Sequence, residues 1–235
     1  VTLAYLSGRD SRSQNDLQSS QYEGGLYWRA GAGPLRGFAR VAASTVRFEG
    51  KRNFTGTVNG SAVTRTADGD WKGRTMSAAA GASYELITGR FNVRPSLLAE
   101  YLRLKEKGYT ETGGGDAFNL IVDGRTSSET AVSGTLTLGY RLIGNAGPDA
   151  SGPWARIELD GGRRQIVSGK LGKTTARFAG GTPFTLTPED RTSGFLAGLR
   201  IIGGGAGVTL GAEVNGEEQQ GKASIGAKAS ISLAL

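Results

Sequence analysis

The sequence predicts an all-β fold: an antiparallel up-and-down transmembrane β-barrel with about ten strands in this chain. Three observations point there. Long stretches alternate between apolar and polar residues, the connections mostly alternate long and short, and no apolar run is long enough for a membrane helix.

Alternation is clearest over residues 90–143. Phe91, Val93, Pro95, Leu97, Ala99 and Tyr101 share one face, while Asn92, Arg94, Ser96, Leu98, Glu100 and Leu102 share the other. After a loop, Val132, Gly134, Leu136, Leu138, Tyr140 and Leu142 oppose Ala131, Ser133, Thr135, Thr137, Gly139 and Arg141. Period 2 is the strand signature, because successive side chains leave opposite sides of the pleat.

Alternation alone does not say which face is inside. The polar face carries Arg94, Glu100 and Arg141, more charge than the solvent side of a soluble sheet needs. The apolar face holds aliphatic and small residues in its middle and aromatics near its ends, the arrangement of interfacial girdles. Strands exceed the usual five or six residues of globular sheets, and roughly 9–11 residues let a tilted strand cross a bilayer. The apolar face is therefore expected to meet lipid.

Composition agrees. The 235 residues suit one β domain. Only 37% are hydrophobic, and no run approaches the roughly 18 apolar residues of a membrane helix. A membrane barrel needs none, since only alternate residues meet lipid. The chain has no Cys and no His. That removes a disulfide framework, thiolate or imidazole metal ligands, and the Ser-His-Asp and Cys-His arrangements. The net charge of +7 comes from scattered residues without an aromatic-basic platform, so nucleic acid is not an expected partner. An Arg-lined lumen, or loops facing anionic headgroups, accounts for the charge better.

In chain order, strands are expected at 1–8, 20–30, 35–49, 71–86, on both sides of the loop 108–126 within 90–143, at 153–160, 191–202, 206–215 and 221–235. Long connections are expected at 9–19, 50–70, 108–126 and 161–190, short ones at 31–34, 87–89, 144–152, 203–205 and 216–220. Long loops outside and short turns at the periplasmic side are the habit of membrane barrels. Gly203-Gly204-Gly205-Ala206-Gly207 reads as a turn, since a phosphate loop would have to open a helix.

Parity then assigns the faces. The expected lumen-lining set is Glu23, Arg29, Arg36, Arg40, Glu85, Arg94, Glu100, Arg141, Arg156, Glu158, Arg200, Glu213, Lys222 and Lys228. The expected membrane girdle is Tyr22, Trp28, Tyr84, Phe91, Tyr101, Tyr140 and Phe195. Glu100 and Glu158 are the carboxylates one would weigh for acid-base work, but pairing with Arg94, Arg141 or Arg156 is the expected role. No catalytic residue, metal or cofactor is expected. The charged set reads both as a hydrated interior and as a conduit for a peptide segment.

Three stretches carry a family resemblance: Tyr101-Leu102-Arg103-Leu104, Gly108-Tyr109-Thr110-Glu111-Thr112-Gly113-Gly114, and Ala117-Phe118-Asn119-Leu120-Ile121-Val122-Asp123. With Gln21-Tyr22-Glu23-Gly24-Gly25-Leu26-Tyr27-Trp28, they resemble the β-domain of bacterial autotransporters, the translocators of type V secretion. The resemblance implies a twelve-stranded barrel in the outer membrane of a Gram-negative bacterium, its long loops at the cell surface. It also implies partners: lipid, an N-terminal passenger and the barrel-assembly machinery, with the barrel a monomer. Two departures stand out. Ten strands are counted, which places the family's first two strands and its pore helix upstream of Val1. The chain also stops at Leu235, where the family usually ends in an aromatic residue. A porin-like barrel without a passenger is the first rival; a membrane-embedded hydrolase and a soluble ligand-binding barrel are the others.

The parity of the last strand generates a test. Ala227→Arg puts a charge on the expected lipid face and should cost about 2–4 kcal/mol near the bilayer midplane, whereas Ser230→Arg should be tolerated. Folding into lipid vesicles measures both, and equal tolerance would remove the membrane reading.

Overall fold

The computed structural model describes residues 1–11, 15–58, 60–144, 152–189, 193–219 and 221–233. Its strands are β1 (Thr2–Ser11), β2 (Asn15–Ala32), β3 (Leu35–Val58), β4 (Ser61–Tyr84), β5 (Leu86–Thr88), β6 (Phe91–Glu106), β7 (Tyr109–Thr110), β8 (Leu120–Val122), β9 (Arg125–Ile143), β10 (Trp154–Lys170), β11 (Thr174–Phe178), β12 (Phe184–Leu186), β13 (Gly194–Gly205), β14 (Val208–Gln219) and β15 (Lys222–Leu233). Ten long strands form one antiparallel meander in the order β1-β2-β3-β4-β6-β9-β10-β13-β14-β15, with β5 also on β6. Four short strands make a separate sheet in the order β12-β11-β8-β7.

Local chemistry explains the punctuation. Ala206 and Gly207 adopt φ of 49° and 81° between the paired residues Gly205 and Val208. Such a two-residue turn needs positive φ at both centres, and its twist matches the flanking strands. The turn expected at 203–205 thus sits slightly later, and β13 runs through the glycines. The break between β4 and β5 falls beside Pro95, where the β4–β6 ladder stops at Ser83–Ser96 and resumes at Leu86–Val93. Proline has no N–H to give a ladder. The Glu85 amide bonds instead to the Pro34 carbonyl at 3.0 Å.

The meander is inverted relative to a soluble sheet. On the concave face Ser133 is 4% exposed, and on the convex face Leu97 is 65% exposed. Ala42, Ser44, Val46, Ala131 and Thr137 are buried on the concave side, while Leu136, Leu138, Leu199 and Ile201 are bare on the other. On β4 the convex residues Met76, Ala78, Ala80, Ala82 and Tyr84 form the apolar band. Eight intervals at roughly 3.3 Å give about 26 Å along the strand, close to the roughly 25 Å apolar height of a membrane barrel. The next convex residues on β4 are Arg74, Lys72 and Asp70, so the apolar band ends at Met76.

The sheet curves strongly. Arg156 on β10 reaches to 3.8 Å from Glu85, at the β4–β5 junction. In a flat sheet those strands would stand about 14 Å apart. Residues from β2 through β14 line a single cavity of about 750 Å³. The wall is not closed: among the described residues β1 and β15 each pair on one side only.

Several expected loops are strand. β3 and β4 continue in register to the Val58–Ser61 pair, so the described residues of 50–70 extend the hairpin. β1 and β2 shorten the connection expected at 9–19, β10 runs on to Lys170, and β14 and β15 nearly meet over 216–220. Beyond the apolar band both faces become polar, so alternation fades although backbone pairing goes on. The connection expected at 144–152 lies outside the described residues except for its two ends.

The loops 108–126 and 161–190 are not featureless either. They supply the four-stranded sheet, which caps the inner side of the β3–β4 extension. Asp68 and Thr112 exchange backbone hydrogen bonds at 2.8 and 2.9 Å. Trp71 lies between Phe48 and Tyr109, with ring centroids 5.2 and 4.4 Å away. Ala67, Val122 and Ala176 form the small buried core. Gly69 is required here, because a Cβ would lie 2.7 Å from the Tyr109 ring.

Burial, and next the charge of Glu111, push the Tyr109 phenol above its usual range. A raised phenol favours the folded cap while it is neutral. That stabilisation is fully present below about pH 10 and is lost as pH rises through the higher folded value. In alkaline titration followed at 295 nm, Tyr109→Phe should remove the latest tyrosinate step. An unchanged profile would mean that the ring is not packed in the cap.

Candidate functional site

The concave face is the functional candidate, because it gathers charges from strands along the whole sheet, β2 to β15. Glu158 on β10 is fully buried at its centre. Arg94 on β6 donates a hydrogen bond to it at 3.0 Å, Arg200 on β13 lies 2.7 Å away, and Arg156, two residues back on β10, lies 2.9 Å away. Period 2 puts Arg156 and Glu158 on one face, and strand order brings Arg94 and Arg200 in from either side. Glu85 lies 3.9 Å from Arg94 and 3.8 Å from Arg156, and accepts the Asn92 amide at 2.9 Å. Arg200 is also 3.8 Å from Asp160 and 3.9 Å from Glu213. The Thr137 hydroxyl donates to Asp160. Three guanidiniums thus face four carboxylates, and Lys228 stands opposite Glu213 in the β14–β15 register.

A second tier lies toward the cap. Arg164 donates to Glu129 at 2.7 Å and sits 3.7 Å from both Glu100 and Glu217. Above it Arg125 grips Glu106 through Nε and Nη2 at 2.6 and 3.0 Å, while the Trp71 indole donates to the same carboxylate at 3.1 Å. The Glu106 hydrogen bond raises the Arg125 pKa, against the effect of burial. Arg52 holds Glu111 at 2.7 Å and ties the cap to the β3–β4 extension.

The remaining expected residues are placed as follows. Glu23 pairs with Arg40 across β2 and β3. Arg29 and Arg36 border the cavity, and Arg36 also donates to the Leu35 carbonyl at 3.1 Å. Arg141 reaches the Gly89 carbonyl at 2.9 Å. Lys222 opens β15, with its side chain outside the described residues. Tyr22, Trp28, Tyr84, Phe91, Tyr101, Tyr140 and Phe195 lie bare on the convex side. Phe91 and Tyr140 meet edge-on at 5.0 Å, Tyr22 meets Tyr5 at 5.1 Å, and Arg163 covers Phe195 at 5.6 Å.

Sequence reasoning missed Arg164, Glu129, Glu217, Arg125 and Glu106. Their parity was available: Arg164 continues the series Arg156, Glu158, Asp160, and Glu106 continues Glu100, Leu102, Leu104. The signal was weak because Gly161, Arg163 and Gln165 are not an apolar counter-face.

A curved antiparallel meander with an apolar outside and an ion-paired inside is the frame against which the family match stands. The family model for the autotransporter beta-domain matches residues 1–215. The chain belongs to that family. No curated protein matches it. An autotransporter β-domain is an outer-membrane β-barrel of type V secretion, the translocator for an attached passenger. In this autotransporter β-domain the barrel interior corresponds to the concave face and the lipid surface to the convex one.

Removing one partner of a buried pair leaves the others unpaired at about 3–5 kcal/mol. Glu158→Ala should approach that loss, since three arginines converge on it. Glu100→Gln, at a longer ion pair in which Glu100 is itself 42% exposed, should cost under about 1 kcal/mol. Urea unfolding in lipid compares the two, and equal losses would deny Glu158 its central place.

Proposed function

We propose that the concave face is the wall of a hydrated conduit that accommodates the segment linking the barrel to its passenger. The observation that carries this reading is the ion-paired interior: charges held in pairs along the wall keep water in the bore and offer an extended peptide polar partners at every level. The work is physical and not covalent. The convex band anchors the domain in lipid, and the cap and long connections face the cell surface, with the short turns in the periplasm. The barrel-assembly machinery inserts the domain, which acts as a monomer. The wall works as a conduit only when its outer edges are paired, because an open edge in hydrocarbon leaves backbone groups unsatisfied at several kcal/mol each.

A parity test separates this reading from a porin-like barrel without a passenger. A photo-crosslinking residue at Leu98, which lines the cavity, should trap the linking segment of a stalled passenger. The same residue at its neighbour Ala99, exposed on the convex face, should not. Crosslinks at neither position, with secretion intact, would overturn the conduit.

A further inference from the structure

The convex face of β4 and β6 carries a feature that the conduit does not use. Directly beyond the apolar band, Met76 stands opposite Arg103 and Arg74 opposite Lys105. The Lys107 amide donates to the Lys72 carbonyl at 2.9 Å, which sets those two residues side by side. Lys72, Arg74, Arg103, Lys105 and Lys107 are all exposed. Among the described residues none of the five has an ion-pair partner: Asp70 and Glu49 on the neighbouring convex positions pair with Arg47, at 2.5 and 3.3 Å, and Glu106 faces inward to Arg125.

Like charges directly opposite across an antiparallel pair destabilise the sheet. Here two such rows follow one another, Arg74–Lys105 and Lys72–Lys107, so an anion against the stripe would relieve the repulsion. Its surroundings say which kind. An open groove of about 580 Å³ touches Arg74, Arg103 and Lys105 at one end and Tyr22, Ala43 and Met76 at the other. A second, of about 870 Å³, reaches Lys72 and Lys107. The basic end continues without interruption into the lipid-facing band. A nucleic acid or an acidic protein would have no use for that apolar floor.

We propose that this stripe binds the phosphate groups of a lipid in the leaflet on the cap side, with the acyl chains lying along Met76, Ala78 and Tyr101. Four residue intervals of β4 or β6 cover about 14 Å, room for more than one phosphate, so the fitting headgroup carries several. That the leaflet is the outer one rests on the orientation proposed above; the stripe itself does not depend on the passenger.

The full-length protein, reconstituted in phosphatidylcholine nanodiscs with a minor fraction of diphosphoryl lipid A, tests this by native mass spectrometry after release from the disc. The protein should retain the phosphorylated lipid over phosphatidylcholine. At roughly fivefold per surface cation, Arg74→Ala/Arg103→Ala/Lys105→Ala should weaken retention by roughly 100-fold, and inorganic phosphate should not displace the lipid. Equal retention of phosphatidylcholine, retention undiminished in the variant, or displacement by inorganic phosphate would each overturn the proposal. If the triple variant does not fold, Arg103→Ala and Lys105→Ala singly must each lose about fivefold. Heat-modifiable migration of the unaltered protein reports the barrel separately, so failure of the membrane reading is distinguishable from failure of the lipid site.

Discussion

A backbone that crosses hydrocarbon must satisfy every N–H and C=O from within the protein, and the rest of this structure depends on that constraint. The chain meets it along a ladder of ten strands in chain order, everywhere but at the outer edges of β1 and β15 among the described residues. The ladder carries the fold, so convex side chains need only be apolar, and many are small: Ala78, Ala80 and Ala82 on β4, Ala223, Ala227 and Ala229 on β15. The departures from the ladder have local causes. Pro95 interrupts it where no N–H is present, and the freed Glu85 backbone turns to Pro34 while its side chain joins the arginine cluster.

The interior solves a second problem. Charges taken from water are costly unless they are paired, and here the partners come from different strands. Arg156 shares a strand with Glu158 and Arg200 stands opposite it in the register, while Arg94 reaches it from across β9, and their pairing ties three strands together on the concave side. Among the described residues the buried Arg200 Nε has no hydrogen-bond partner, and Arg156 Nε and Glu158 Oε1 lie 2.9 Å apart without hydrogen-bond geometry. Polar atoms in that state fit a bore that holds water, which is what a conduit for a polar peptide requires.

The edge of the apolar band divides the molecule into two chemistries. Below it the convex face is aliphatic and aromatic. Above it the same strands turn outward charges to solvent, as Arg47 and Asp70, or leave them in unpaired rows, as Arg74 and Lys105. On the concave side of that level the stacked Phe48, Trp71 and Tyr109 build a small soluble-type core under the cap. One hairpin therefore serves as lipid anchor, as platform for the cap and as bearer of the basic stripe.

The sequence by itself determined which side chains share a face, because period 2 is a property of neighbouring residues. Ten strands, the outward set around Phe91, Tyr101 and Tyr140, and the concave parity of Arg94, Arg156, Glu158 and Arg200 could all be read from it. It was silent where one face stopped being apolar, so the continuation of β3 and β4 past Glu49 read as loop and Arg164 was missed. Whether a polar stretch is loop or ladder depends on a partner strand, and residues 50–70 have one in each other. Only the tertiary structure decided that Trp71 meets Tyr109, that Arg52 meets Glu111, and that Glu158 receives three arginines. Apart from Arg156 and Glu158, two residues apart on one strand, those contacts join residues up to 64 apart, and what brings them together is register and curvature, which no local pattern encodes.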